Sequence, residues 1–579
     1  MTMLTKWGAA LDRSCPLPEY PRPQLRRESF YNLNGIWDYA VTPSGDEPEV
    51  WDSEIVVPFS PEAPLSGAAR GPAKDEYLHY RRGFTLPEGF QKSRVLLHFG
   101  AVDQIAEVFV NGVSAAKHSG GYWPFSADIT SLLREGENIL RVTVRDNADD
   151  PTFAYGKQRY KRGGMWYTAQ SGIWQTVWLE SVPEVYVKSL RITPEFDEAR
   201  VRIELETALE SSAAITCDVR AADGSFVAGS WAKGGVCVVP LPGFRAWTPD
   251  DPYLYTLDIT CGEDHVESYF AMRKFSYVEL DGHKVFGLNN APLFHNGLLD
   301  QGYYPDGLLT PPSDEAMVND IETMKRCGFN MLRKHIKIEP LRWYYHCDRL
   351  GMIVWQDMVS GGQPYSFLHV SALPTLGKVD LPDQDAKPYG RSGVLSRARF
   401  RREMTDTVRL LYNCPCIALW TVFNEGWGQF DALDMANELK KLDPTRFIDH
   451  ASGWQDQGYE EMKSRHIYFR PVKLKNDGRA LALTEYGGYI LAVDGHRWTD
   501  KVFGYRICRD SAALAHDYEK LMLGQVLPHI RKEGLTAAVY TQITDVEEEL
   551  NGLMTYDREV LKIPEETLRE INAALRFDV

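Results

Sequence analysis

The stretch Cys416-Ile-Ala-Leu-Trp-Thr-Val-Phe423 runs straight into Asn424-Glu425-Gly426-Trp427. An apolar run of this length, bounded by turn formers, reads as a strand buried on both faces, the kind that parallel sheets contain. Leu481-Ala-Leu-Thr-Glu485-Tyr-Gly-Gly488 has the same form and also ends on a carboxylate. Upstream, Pro312-Ser313 opens an amphipathic run with Met317, Ile321 and Met324 at helical spacing, Gly328 stops it, and Phe329-Asn-Met-Leu-Arg333 follows as a strand. Pro340 and Gly351 bracket the next helix, which leads into Met352-Ile-Val-Trp-Gln-Asp357. Strand then helix is expected to repeat to the end of the chain, with strands at 292–299, 329–335, 352–358, 416–425, 446–452, 464–470, 480–486 and 537–543. Eight such units are the arithmetic of a (β/α)8 TIM barrel. An open doubly wound sheet is the alternative, but no Gly-rich dinucleotide fingerprint stands at a first strand-helix turn.

Toward the N-terminus the rhythm changes to strand and turn. Leu140, Val142 and Val144 alternate with Arg141, Thr143 and Arg145, and Val201, Ile203 and Leu205 with Arg202, Glu204 and Glu206. That is the period of strands with one wet face. Asn111-Gly112 adds a hairpin signal. Ser181-Val-Pro-Glu184 offers a break, so the chain divides into a β-sandwich over 1–183, an immunoglobulin-sized sandwich over 184–275 and the barrel over 276–579.

Composition narrows the chemistry. Over 579 residues the formal charge is −16 and the pI about 5.4, which disfavours nucleic acid and anionic membranes as partners. Nine Cys without regular spacing fit a reduced, cytoplasmic compartment better than a disulfide scaffold. The N-terminal stretch lacks the long apolar segment of a secretory signal, and no 18 uninterrupted apolar residues occur. Gly-x-Ser-x-Gly, His-Glu-x-x-His and the phosphate-cradling Lys motif are absent, which argues against an unrelated hydrolase.

In a barrel, chemistry sits at the C-terminal ends of the strands. The fourth and seventh strands each deliver a Glu there, Glu425 and Glu485, and opposing strands would point them across one pocket. Two facing carboxylates, one protonated and one ionised, are what glycoside hydrolysis requires. A lone Glu at a strand end is usually a cap; two in matching positions, both beside Gly and aromatic residues, favour the catalytic reading. Asn424 is either a hydroxyl ligand or a turn former.

At these residues the sequence resembles glycoside hydrolase family 2, the family of β-galactosidases, β-glucuronidases and β-mannosidases. Asn32-Leu-Asn-Gly-Ile-Trp37 and Ser171-Gly-Ile-Trp174 resemble the start and end of its jelly-roll sugar-binding domain, and Trp247-Thr-Pro-Asp-Asp-Pro-Tyr-Leu-Tyr255 the hallmark of its immunoglobulin-like domain. Gly328 to Arg333, Asn424-Glu425 and Thr484-Glu485-Tyr-Gly-Gly resemble its second strand, acid/base and nucleophile motifs. The resemblance implies a retaining double displacement with Glu425 as acid/base, Glu485 as nucleophile and carboxyl groups about 5–5.5 Å apart. It also implies Asn424 on the sugar 2-hydroxyl, Tyr468 bonded to the nucleophile, and Arg333 beside Glu485, where a salt bridge inside the barrel is an equal role. Asp357 has two readings, a sugar-hydroxyl ligand or a strand-end turn.

The chain departs from the family pattern in three places. Arg333-Lys-His335 puts the His one place early, so His335 is carried over only as a possible ligand. Asn413-Cys-Pro-Cys416 replaces Asn-His-Pro-Ser, and Cys-x-Cys alone makes no zinc site, so no metal or other cofactor is expected. The region Glu549 to Arg558 lacks the Asn-x-Lys element with which glucuronidases of the family receive a carboxylate. A neutral sugar is therefore expected, β-galactoside first, with glucoside, mannoside and arabinoside open and glucuronide disfavoured. Pocket rims are expected in the Gly- and Pro-rich loop 359–394, in Asn296 to Asp306, and around His496. Trp427, Trp454 and Trp498 are stacking candidates or core residues. The rival class is a non-catalytic carbohydrate-binding protein. The family often forms dimers or tetramers, which makes a homo-oligomer an open expectation.

Overall fold

The computed structural model describes residues 3–209, 214–232, 234–375, 377 and 380–578. Two antiparallel sheets form the N-terminal jelly roll. One has six strands, with Asn138–Arg145 paired between Tyr77–Phe84 and Ile105–Val110, and the other has four, with Val177–Val182 between Phe30–Asn32 and Arg94–Phe99. Trp37, Tyr80, Leu97, Val108, Val142 and Leu179 fill the space between them. The expected wet face of Asn138–Arg145 is only partly wet. The strand is central, and Arg141 lays its guanidinium 3.8 Å from the Phe109 ring centroid, so Arg141 and Thr143 are each 8% exposed.

Seven further strands make an immunoglobulin-like sandwich, three on one sheet and four on the other, around Val201, Ile203, Cys217, Val219, Leu257 and Ile259. Trp247 leaves this module and is fully buried against the next, donating from Nε1 to the Asp348 carbonyl at 2.7 Å.

The barrel strands, labelled in chain order, are β1 (His295–Asp300), β2 (Met331–Lys334), β3 (Ile353–Asp357), β4 (Ile417–Thr421), β5 (Phe447–Asp449), β6 (Met462–Ile467), β7 (Ala480–Gly487) and β8 (Leu535–Thr541). All pairings are parallel and run in barrel order from β5 through β1 to β6. Each overlaps a strand expected from the sequence. The hairpin Phe275–Leu280 and His283–Leu288 plugs the bottom of the barrel, where Phe286 packs with Trp355 and Phe447. Along β7 the burial alternates in partner: Ala480 and Ala482 join this interior cluster, while Leu481 and Leu483 join the outer cluster shared with the helices.

Strand-then-helix does not repeat to the end. Among the described residues no helix joins β5 to β6 or β6 to β7. Those connections contain Gly453, Gly458 and Pro471 and no apolar 3.6-residue period, so a crossover helix has neither the sequence nor an apolar stripe to form on.

Candidate active site

Alternation on β2 and β3 sends Arg333, His335, Trp355 and Asp357 to the barrel interior. Arg333 is fully buried and donates from Nε and Nη2 to the two oxygens of Asp357, both at 3.0 Å. It also donates from Nη1 to Glu485 Oε1 at 3.1 Å and from Nη2 to Asn424 Oδ1 at 2.8 Å. His335 Nδ1 lies 2.8 Å from Asp357 Oδ2. Burial pushes the Asp357 pKa upward, but the Arg333 charge and His335 outweigh it and hold the carboxyl down at about 2. Both Asp357 oxygens are engaged by protein, which makes it a charge partner for Arg333.

Strict alternation from Ala480 and Ala482 would put Thr484 inside and Glu485 outside. Pairing with both neighbours shifts register there: Leu483 pairs with Arg465, but Glu485 with His466, leaving Thr484 as the extra residue. This bulge brings Glu485 into the barrel beside Thr484. Tyr468, just beyond β6, donates to Glu485 Oε2 at 2.6 Å. The ring of Tyr505 stacks on Tyr468 at 4.0 Å and 12°.

Glu425 lies four residues past the end of β4, in a left-handed conformation with φ 55°. Its carboxylate, that of Glu485 and a nitrogen of His466 offer atoms that all lie within 4.8 Å of one another. It is the one such His/Cys/Asp/Glu group among the described residues. Burial raises the pKa of Glu425, against the opposing charges of Lys157, His335 and Arg333. Carboxylates of this kind carry the chemistry in acid-base pairs. His466 Nδ1 sits 2.9 Å from Glu425 Oε1 and 3.5 Å from Glu485 Oε2.

His466, Lys157 and Tyr505 are absent from the residues singled out in the sequence, where Glu549 figures only as the start of the segment without Asn-x-Lys. For His466 a signal existed: it is two residues before Tyr468 within the strand expected over 464–470, which puts both on the same face. Lys157 comes from the jelly roll, in a loop whose Tyr155 N–H donates to the Ser360 carbonyl at 3.1 Å and whose Tyr155 hydroxyl donates to the Gly362 carbonyl at 2.7 Å. The same loop bonds Tyr167 to Glu549 and places the Lys157 ammonium 5.5 Å from the Trp166 ring. Burial lifts the Glu549 pKa to about 7.

The three tryptophans divide. Trp427 is buried, its ring 5.0 Å edge-on from Trp166 and 5.8 Å from Tyr155, which fits its core reading. Trp454 donates from Nε1 to the Glu425 carbonyl at 2.8 Å, and Trp498 lies under the Arg162 guanidinium at 4.3 Å. Of the expected rims, loop 359–394 does meet the jelly-roll loop at the barrel mouth; its residues 376 and 378–379 lie outside those described. Asn296 to Asp306 is no rim: Asp306 is buried and accepts from both N–H and hydroxyl of Thr5 at 2.7 Å. His496 pairs with Asp557 at 2.8 Å. Cys414 and Cys416 are buried beside Tyr344 and Asp348, where the Cys416 N–H donates to Asp348 Oδ1 at 2.6 Å.

Three family models match the chain: the sugar-binding domain of glycosyl hydrolases family 2 over residues 30–183, a further family 2 domain over 185–273, and the family 2 TIM barrel domain over 310–473. A β-galactosidase of Thermoanaerobacter pseudethanolicus is 25% identical over 63% of this chain and 47% of its own length. A β-glucuronidase of Paenibacillus borealis is 23% identical over 82% of this chain and 85% of its own. The chain spans less than half the length of the first curated relatives it matches. In fold it is similar to a solved β-glucuronidase from an uncultured Clostridium, with a TM-score of 0.74 at 19% identity, over 95% of this chain and 99% of the other.

Proposed function

Because the chain belongs to glycoside hydrolase family 2, we propose that it is an exo-acting β-glycosidase working with retention, Glu485 as nucleophile and Glu425 as acid and then base. The observation that carries this reading is the approach of the two carboxylates, one oxygen of each lying within 4.8 Å of one oxygen of the other. Double displacement needs about 5–5.5 Å, whereas an inverting water needs about 6.5–9.5 Å. In the first step a Glu485 oxygen bonds to the anomeric carbon as the bond to the leaving oxygen breaks, and Glu425 gives that oxygen its proton. In the second, Glu425 takes a proton from water, the water oxygen bonds to the anomeric carbon, and Glu485 is released. Arg333 and Tyr468 grip Glu485 and aim it. Arg333 also occupies the Asn424 carbonyl oxygen, which leaves the amide N–H groups to donate to the 2-hydroxyl.

Glu485→Gln is expected to lower turnover of aryl β-glycosides by at least about 10³-fold while leaving binding intact. A 2-deoxy-2-fluoro glycoside should add its sugar mass to the peptide containing Glu485. Retained turnover in Glu485→Gln would end this reading, and binding without turnover in the wild-type protein would favour the carbohydrate-binding rival.

Two substrates stand level. A β-galactoside is the reading closest to the relative from Thermoanaerobacter pseudethanolicus. A β-glucuronide is favoured by Lys157, a cation from another domain whose charge acts on both Glu425 and Glu549. The preference against a glucuronide rested on Glu549 to Arg558, but that segment is occupied with domain contacts: Glu549 with Tyr167, Arg558 with Asp320. A missing cation there does not leave the mouth without one. A panel of nitrophenyl β-galactoside, glucuronide, glucoside, mannoside and arabinoside decides. If the glucuronide is the substrate, Lys157→Met raises its KM at least about tenfold, the loss of one charge-assisted contact.

A further inference from the structure

His466 touches Glu425, and a chain of hydrogen bonds behind it determines which nitrogen carries the ring proton. The Thr484 hydroxyl donates to the Arg465 carbonyl at 3.5 Å, and a carbonyl can only accept. Thr484 Oγ1 in turn accepts from the Ser452 hydroxyl at 3.0 Å. The single Ser452 proton is thereby used. His466 Nε2, 3.2 Å from Ser452 Oγ, must then be the donor in that contact. The ring is neutral, since full burial pushes its pKa down to about 3 despite the nearby Glu485. A neutral imidazole protonated at Nε2 carries a bare lone pair at Nδ1. That lone pair faces Glu425 Oε1 at 2.9 Å, a hydrogen bond only if the carboxyl holds the proton.

We propose that His466 is a positioning residue that keeps the proton on Glu425, its acceptor nitrogen fixed by the Ser452–Thr484 relay. The proposal rests on the reading of Glu425 as the general acid. A hydrogen bond made to the neutral form of a carboxyl favours that form, so His466 adds to what burial does. Other groups facing Glu425 are Lys157 from the jelly roll, His335 and Arg333 from β2, Tyr365 from the loop after β3, Glu485 from β7, and Tyr468 and Tyr505. The three cations or would-be cations among them oppose it. The geometry serves both half-reactions: the acid starts protonated against Nδ1, and the base returns to that state when it takes the proton from water.

The test is the pH dependence of kcat/KM on two substrates, a phenyl glycoside whose leaving group needs the acid and a 2,4-dinitrophenyl glycoside whose leaving group does not. Removing the acceptor lowers the pKa of Glu425, so the alkaline limb on the phenyl glycoside should move down by about one pH unit in His466→Leu, a tenfold loss above the limb. The loss on the phenyl glycoside should exceed that on the dinitrophenyl glycoside at least tenfold. Ser452→Ala leaves the ring in place but frees its tautomer, and should move the limb in the same direction by less; it decides the matter if His466→Leu does not fold. A limb that stays or moves up, or equal losses on both substrates, overturns the proposal. Glu425→Gln separates the two levels: wild-type turnover of the phenyl glycoside in that variant sinks the acid itself, whereas its loss together with an unmoved limb sinks only His466.

Discussion

Arg333 binds Asp357, Glu485 and Asn424 at once and is fully buried. Its removal strands two buried carboxylates, which costs about 3–5 kcal/mol when one partner of such a pair is lost. Arg333→Met should therefore lower the denaturant midpoint markedly and reduce kcat, while a Lys, lacking the planar fork, restores charge but not both contacts. Asp357 gives the pH sign. Its folded pKa, about 2, lies below its unfolded value of 3.8, so its contribution is complete above about pH 4 and is lost as pH falls toward 2. Asp357→Asn should flatten that part of the acid-unfolding curve, read by circular dichroism. Arg333 and Asp357 were legible because each stands at a strand end where alternation points inward, and Glu485 because it is a carboxylate at the end of a buried strand. Lys157 was not, because its neighbours Trp166, Ser360 and Glu549 belong to segments that only folding across two domains brings together.

At the level of elements, β7 carries a device that periodicity hides. The bulge at Thr484 turns Glu485 inward, so a strict two-residue reading finds the carboxylate but assigns it to the wrong face. Gly487 and Gly488 follow with φ 82° and 65°, and a Cβ would meet Tyr540 at 2.2 Å in the first and Tyr505 at 2.6 Å in the second. That explains in physical terms why two glycines close this strand. Gly488→Ala should displace Tyr505 from Tyr468 and lower kcat by about tenfold, since small misplacements near the chemistry cost up to about 10²-fold; unchanged kinetics would show that the ring stack does not position Tyr468. Helix placement was legible where caps and apolar stripes existed, as at Ser313, whose side chain accepts from the Ala316 N–H. It was misread between β5 and β7, where the counting of eight units supplied helices that the residues do not.

Across the whole molecule, the largest apolar cluster ignores the domain boundary. Tyr122, Trp123, Tyr155, Tyr167 and Trp174 of the jelly roll share it with Ile336, Phe400, Met404, Trp427 and Phe430 of the barrel. Trp123 also donates to the Thr407 hydroxyl at 3.1 Å. Jelly roll and barrel are therefore expected to unfold in one calorimetric transition, and Trp123→Ala to cost about 3–5 kcal/mol and split it; two separate transitions in the wild-type protein would contradict this. The division into modules was legible in the switch from strand-turn to strand-helix rhythm, whereas their shared core was not, since buried aromatics look alike whichever module they face.

That shared core has a consequence for synthesis. Trp123 and its Thr407 partner are 284 residues apart, so at roughly 5–20 residues per second a ribosome takes about 15–60 s to supply the second after the first. Until then Trp123 lacks its Thr407 partner and the barrel side of the cluster it shares, including Phe400 and Met404, which leaves the nascent jelly roll with an incompletely covered apolar face suited to a chaperone's grip.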